Sequence, residues 1–204
     1  MAIHCVNPNT VGTLAEALFN VTNTSGRDLI NSFSASIENL KSHWKGSDAV
    51  ANLTDLSKVY TSVTDLVKNL QRLIVTVNNE EVLPLQKHIQ ASGGSCTIGK
   101  ELNVTLNMDS FISVPTEALE SWTDPSIISD AETFNNFPTT FENFVNALNE
   151  AKDNLLNNWL DGANRQEVVT AFNNFNNNVA DYKNQITKVR NNLNTVAENK
   201  KQLM

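Results

Sequence analysis

Residues 27–46 read RDLINSFSASIENLKSHWKG, and the reading of this stretch decides the fold. Ile30, Phe33, Ile37, Leu40 and Trp44 recur at spacings of 3, 4, 3 and 4, which places them along one stripe of an α-helix. Gly46 interrupts the pattern, and Ser47 and Asp48 behind it are both good N-cap residues. A second stripe then runs through Leu53, Leu56, Val59, Val63, Leu66, Leu70, Leu73 and Val77, close to a heptad repeat. The spacing predicts a first helix of about 18 residues and a second of about 30, roughly 27 and 45 Å long. So short a connection makes the two antiparallel, an αα-hairpin.

The pattern recurs downstream. At an offset of 115, Ile30, Phe33, Leu40 and Trp44 fall on Val145, Leu148, Leu155 and Trp159, with Lys152 standing where Ile37 would predict an apolar residue. Beyond the tryptophan the offset becomes 116. Gly46 then falls on Gly162, Leu53 on Val169, Leu56 on Phe172, Val59 on Phe175, and the register continues to Leu193. Stripe, tryptophan, glycine turn and stripe in one order predict two copies of one helical hairpin. The expected fold is mainly α: tandem antiparallel hairpins forming an elongated four-helix bundle, with an irregular or partly β insertion between them.

Charge supports this division. Net charge is −1 over residues 1–90, −8 over 91–150 and +2 over 151–204, within a total of −7 for the 204 residues. Three of the five prolines (Pro115, Pro125, Pro138) and the Gly93–Gly94 pair lie in the middle segment. The reading is a first hairpin with an N-terminal helix over 1–90, an acidic connector over 91–140, and a second hairpin over 141–204. Val11–Val21 predicts a helix with Leu14, Ala17, Leu18 and Val21 on one face. It is either separate or the start of the first long helix, with Ser25–Gly26 as the break. Cys96–Leu106 suggests a short strand or hairpin arm with Phe111–Val114 as its partner, and Leu119 and Trp122 suggest a short helix.

Around His43-Trp44-Lys45-Gly46, a helix, a Trp-x-Gly turn and a second long amphipathic helix resemble the small Trp-x-Gly helical-hairpin proteins exported by type VII secretion systems. The likeness covers about residues 27–80; the second copy, about 141–200, has two residues between Trp159 and Gly162 instead of one. The resemblance implies a non-enzymatic binding protein, acting as a secreted substrate, adaptor or export partner of a larger effector. It also implies that the turn residues Trp44, Gly46, Trp159 and Gly162 lie near a surface read by the secretion machinery or a helical partner. The family's Tyr-x-x-x-Asp/Glu signal is not formed: Thr64 follows Tyr60 by four positions, and Ile186 follows Tyr182. A partner supplies the signal, another signal serves, or the chain is not exported. The alternative reading is a structural or surface helical-bundle protein, viral or cellular, with no secretion role.

Little else in the chain points to chemistry. Acidity without clustered Lys and Arg argues against nucleic acid as a partner. No run approaches the roughly 20 apolar residues of a transmembrane helix, so no membrane insertion is expected. Met1–Thr10 lack a basic region followed by an apolar one, so no Sec-type signal peptide is expected, and a leaderless export route or a cytoplasmic location before export follows. His4, His43 and His88 are dispersed, which predicts no metal site. No nucleophile elbow or phosphate-binding glycine loop occurs, so neither a catalytic residue nor a cofactor is expected. Cys5 and Cys96 read as unpaired thiols, with one disulfide as the alternative in an exported chain. Because a second hairpin in the same chain covers the first, a monomer or weak dimer is expected. Phe134, Phe137, Phe141 and Phe144, spaced 3, 4 and 3, have no counterpart in the first copy and are either a partner-binding surface, with Phe172 and Phe175 beside them, or a cover for the insertion within the chain.

Overall fold

The computed structural model describes His4, Cys5, residues 7–116, Ser121, Trp122 and residues 126–202. About 80% of it is helical. After a two-residue strand β1 (His4–Cys5), helix α1 (Pro8–Val21) begins at Asn7, whose side chain accepts the amide protons of Asn9 and Thr10, with Pro8 at the first helical position. Its buried residues are Val11, Ala15, Leu18 and Phe19. The expected face is therefore rotated: Leu18 stays, Leu14 and Val21 are half-buried, and Ala17 is exposed. Ser25–Gly26 does not break the chain. Residues Thr22–Gly26 form one wide π turn that leads directly into α2 (Arg27–His43).

The first hairpin is α2, a two-residue strand β2 (Trp44–Lys45) and α3 (Ser47–Thr76). The second is α6 (Phe137–Asn158), β4 (Trp159–Asp161) and α7 (Arg165–Lys201). Contacts across each neck show both to be antiparallel. Phe33 meets Tyr60 edge-to-face at 6.0 Å, and Asn149 and Asn176 exchange two amide hydrogen bonds of 3.0 and 2.9 Å. The stripe residues before each tryptophan are buried as expected. After it the register drifts: Leu66, Leu73 and Val169 are half-buried, while Val67, Ile74 and Val168 are buried beside them. A helix turns once per 3.6 residues and not 3.5, so a strict heptad slides off the core line.

The chain forms two compact units, neither continuous in sequence. One comprises residues 1–27, 66–107 and 144–177; it holds the neck of the second hairpin with α1 and the far end of the first hairpin. The other comprises 28–65, 108–143 and 178–204, the neck of the first hairpin with the far end of the second. In this second unit α7 packs along α3, with Asn192 Nδ2 donating to Asn52 at 2.7 Å and Lys188 pairing with Asp55 at 3.1 Å. Phe33, Phe134 and Phe137 form an aromatic cluster there, with ring centroids 5.3 Å apart.

Lys152, the misfit of the repeat, has its side chain largely buried in the first unit. Its amine pairs with Asp153 at 2.7 Å and lies 5.7 Å from the centre of the Phe172 ring. The alkyl stem thus takes the apolar position, and the charge is met by a carboxylate and an aromatic face.

A second π turn (Val77–Val82) joins α3 to α4 (Leu83–Ala91), and an irregular run follows from Ser92 to Thr116. No strand forms within Cys96–Leu106 or Phe111–Val114, contrary to expectation. Helix side chains bond the run's backbone instead. Gln86 accepts from Gly99 N at 2.9 Å, Asn79 both accepts from Leu102 N and donates to its carbonyl, and Gln71 accepts from Thr105 N and Leu106 N. These helical positions are about seven apart and their targets about three apart, and seven helical rises match three extended ones at roughly 10 Å. Leu119 lies outside the described residues. Trp122 is not helical: its backbone belongs to strand β3 (Ser121–Trp122), and the helix of this region is α5 (Ser126–Asn135). No described helix is long and apolar enough to cross a membrane.

Candidate functional site: the two tryptophan turns

Each tryptophan turn is built in the same way, from a buried ring, a glycine and a short strand arriving from outside the hairpin. Trp44 and Trp159 are both buried. Strand β2 pairs antiparallel with β3, Trp44 opposite Trp122 and Lys45 opposite Ser121. Strand β4 pairs antiparallel with β1, Asp161 opposite His4 and Trp159 opposite Cys5. The arm that precedes the first hairpin therefore clamps the turn of the second, and the arm that precedes the second clamps the turn of the first. The exchange is reciprocal, and periodicity gave no sign of it, because two-residue strands carry no readable alternation.

The two glycines answer different demands. Gly46 has φ +112°, a conformation costly for any residue with a Cβ. Its carbonyl accepts from Val50 N at 2.9 Å and so opens α3, with Asp48 in the first turn where negative charge is favoured. Gly162 has no such φ. It is small because a Cβ there would overlap Glu81 Oε2 and lie 2.6 Å from Trp159 Nε1.

Glu81 is the residue that sequence reading missed at this turn. Its Oε1 accepts from both the backbone N–H and the side-chain amide of Asn164, each at 2.8 Å. Asn164 in turn accepts from Val168 N at 3.1 Å, so the carboxylate sits on the N-cap of α7, where the helix dipole favours an anion. Arg165 turns back to α6, donating to the carbonyls of Trp159 at 2.6 Å and Leu156 at 3.4 Å, which satisfies acceptors left open where that helix ends. Trp159 Nε1 donates to the Asp161 carbonyl at 2.9 Å. At the other turn, His43 Nδ1 lies 2.8 Å from Asp130 Oδ2 and ties the end of α2 to α5.

Of the two readings of the four phenylalanines, a partner-binding face or a cover within the chain, their burial fits the second. Phe134, Phe137, Phe141 and Phe144 are all buried, as are Phe172 and Phe175. The extra stripe exists because α5 and α6 together carry it inward, with Phe134 and Phe137 stacked at 23° and Phe141 edge-on to Tyr182 at 6.3 Å. The exposed large apolar side chains among the described residues include Phe111 on the irregular run and Leu160 at the tip of the second turn.

Among the described residues no cluster of three His, Cys, Asp or Glu side chains is placed to hold a metal ion. Cys96 is a free thiol donating to Asn9 Oδ1 at 3.0 Å, and the Cys5 side chain lies outside the described residues. No family model matches the chain, and no curated protein or solved structure matches it.

Proposed function

We propose that this is a non-enzymatic helical binding protein of a type VII secretion pathway, serving as a secreted substrate, adaptor or export partner of a larger effector. The observation that carries the reading is the paired tryptophan turn: two antiparallel hairpins, each with a buried tryptophan and a glycine at its neck. The likeness to Trp-x-Gly hairpin proteins rests on those positions. In this reading the helical partner or the secretion machinery meets exposed parts of the turns, such as Leu160, and not the buried phenylalanines. The experiment compares immunoblots of cell pellet and culture supernatant from the native host, with and without the ATPase of its secretion system. Loss of the protein from the supernatant on deletion, with no lysis marker released, is the expected result. Equal amounts outside both strains, or none outside either, refute the reading.

A further inference from the structure

Asp161 is the only Asp or Asn of the sequence that stands directly before a glycine. It is exposed at the second tryptophan turn, as the last residue of β4. Its carboxylate is folded over the next peptide. Oδ1 accepts from Gly162 N at 2.8 Å, which brings the carboxyl carbon beside that nitrogen. Gly162 has no Cβ to stand between the two. A second exposed aspartate, Asp109, precedes Ser110 but is held differently. Its Oδ1 accepts from Phe111 N at 3.0 Å, one amide further on, so the carboxyl is turned past the Ser110 nitrogen.

We propose that Asp161 is a site of spontaneous isoaspartate formation, which lengthens the main chain at the second tryptophan turn and loosens it. The Gly162 nitrogen bonds to Asp161 Cγ, and its proton leaves with the carboxyl hydroxyl as water. The five-membered imide so formed takes water back at either carbonyl. Opening at Cγ restores aspartate. Opening at the former backbone carbonyl leaves the chain running through Cβ and Cγ, one carbon longer, with a free α-carboxylate. The product has the composition of the starting chain, so the step needs no oxidant, reductant or cofactor. The turn has no room for the extra carbon. Even a Cβ on Gly162 would overlap Glu81 Oε2 and lie 2.6 Å from Trp159 Nε1, so a longer chain at this point presses on the same two groups. It also shifts the Asp161 carboxyl carbon, whose oxygen now accepts from Trp159 Nε1 at 2.9 Å. The modification thus acts on the contacts that hold the buried indole and the N-cap of α7.

The test ages the full chain for weeks in mildly acidic buffer, where the neutral carboxyl that loses water is present, both folded and unfolded in urea. Isoaspartate is mapped by methyltransferase labelling and mass spectrometry of the peptides. In the folded chain it is expected at position 161 several-fold above position 109. That ratio is expected to exceed the ratio in urea, because the fold presents one carboxyl to the next amide and turns the other past it. Asp161→Glu, whose longer side chain cannot close the five-membered ring, removes the signal at 161 and leaves that at 109 unchanged. The isolated isoaspartyl chain is expected to melt below the unconverted chain. No isoaspartate at 161 in the folded chain, a ratio no larger than in urea, or equal melting of the two forms overturns the proposal.

Discussion

Gly162→Ala is the most direct probe of how the second tryptophan turn is held. The added methyl overlaps Glu81 Oε2 and sits 2.6 Å from Trp159 Nε1 and 3.0 Å from Cζ2. The indole cannot yield, because it is fully buried and its N–H is bound to the Asp161 carbonyl at 2.9 Å. Glu81 can yield, but only by releasing its two 2.8 Å bonds to Asn164. Losing hydrogen bonds to a charged acceptor costs about 1.5–3 kcal/mol. Keeping them and absorbing the overlap costs about 1–3 kcal/mol. These are alternative routes and do not add, and the cheaper one is taken, so the loss is about 1–3 kcal/mol. For a chain of this length that lowers Tm by roughly 2–12 °C. Urea melts of the wild type, Gly162→Ala, Glu81→Ala and the double variant decide it. Since Glu81 is the group displaced, removing it recovers part of the penalty, and the double variant is more stable than additivity predicts by about 1 kcal/mol. Gly46→Ala, whose penalty is backbone strain, gains nothing from Glu81→Ala. Strict additivity of the first pair, or a Gly162→Ala loss below about 0.5 kcal/mol, refutes the steric account.

Phe134→Ala, which empties a fully buried site stacked on Phe137, is expected to cost about 3–5 kcal/mol in a urea melt, against near zero for a surface position. Gln71→Ala is expected to speed hydrogen exchange at the Thr105 and Leu106 amides selectively, as both bond to its side-chain oxygen at 2.8 and 3.0 Å. Unchanged exchange there means that the run is held by its leucines alone.

The helices were legible because their cause is local. Ile30 to Trp44 and Leu53 to Val77 declare a helical stripe through neighbours three and four residues apart, and Gly46 marks a turn whatever packs around it. The first hairpin was legible for the same reason, down to α2 at 17 residues and α3 at 30, and the second hairpin has the same order of elements with longer helices, 22 and 37 residues. Even the aromatic stripe from Phe134 to Phe144 could be read as one face of a helix. Whether that face met solvent or core could not, because periodicity states that a face is apolar and not what covers it. The remaining features depend on partners far along the chain. Glu81 meets Asn164 across 83 residues, and Gln71 meets Thr105 across 34. The β1 and β3 arms pair with turns outside their own hairpins. Each is a pairing of ordinary residues, a carboxylate with an N-cap or an amide with an extended backbone, whose benefit exists only when the fold has brought the two together. Local pattern alone therefore determined the elements and their repetition, and tertiary packing decided which turn each arm clamps, which glycine needs its smallness, and which phenylalanines are interior.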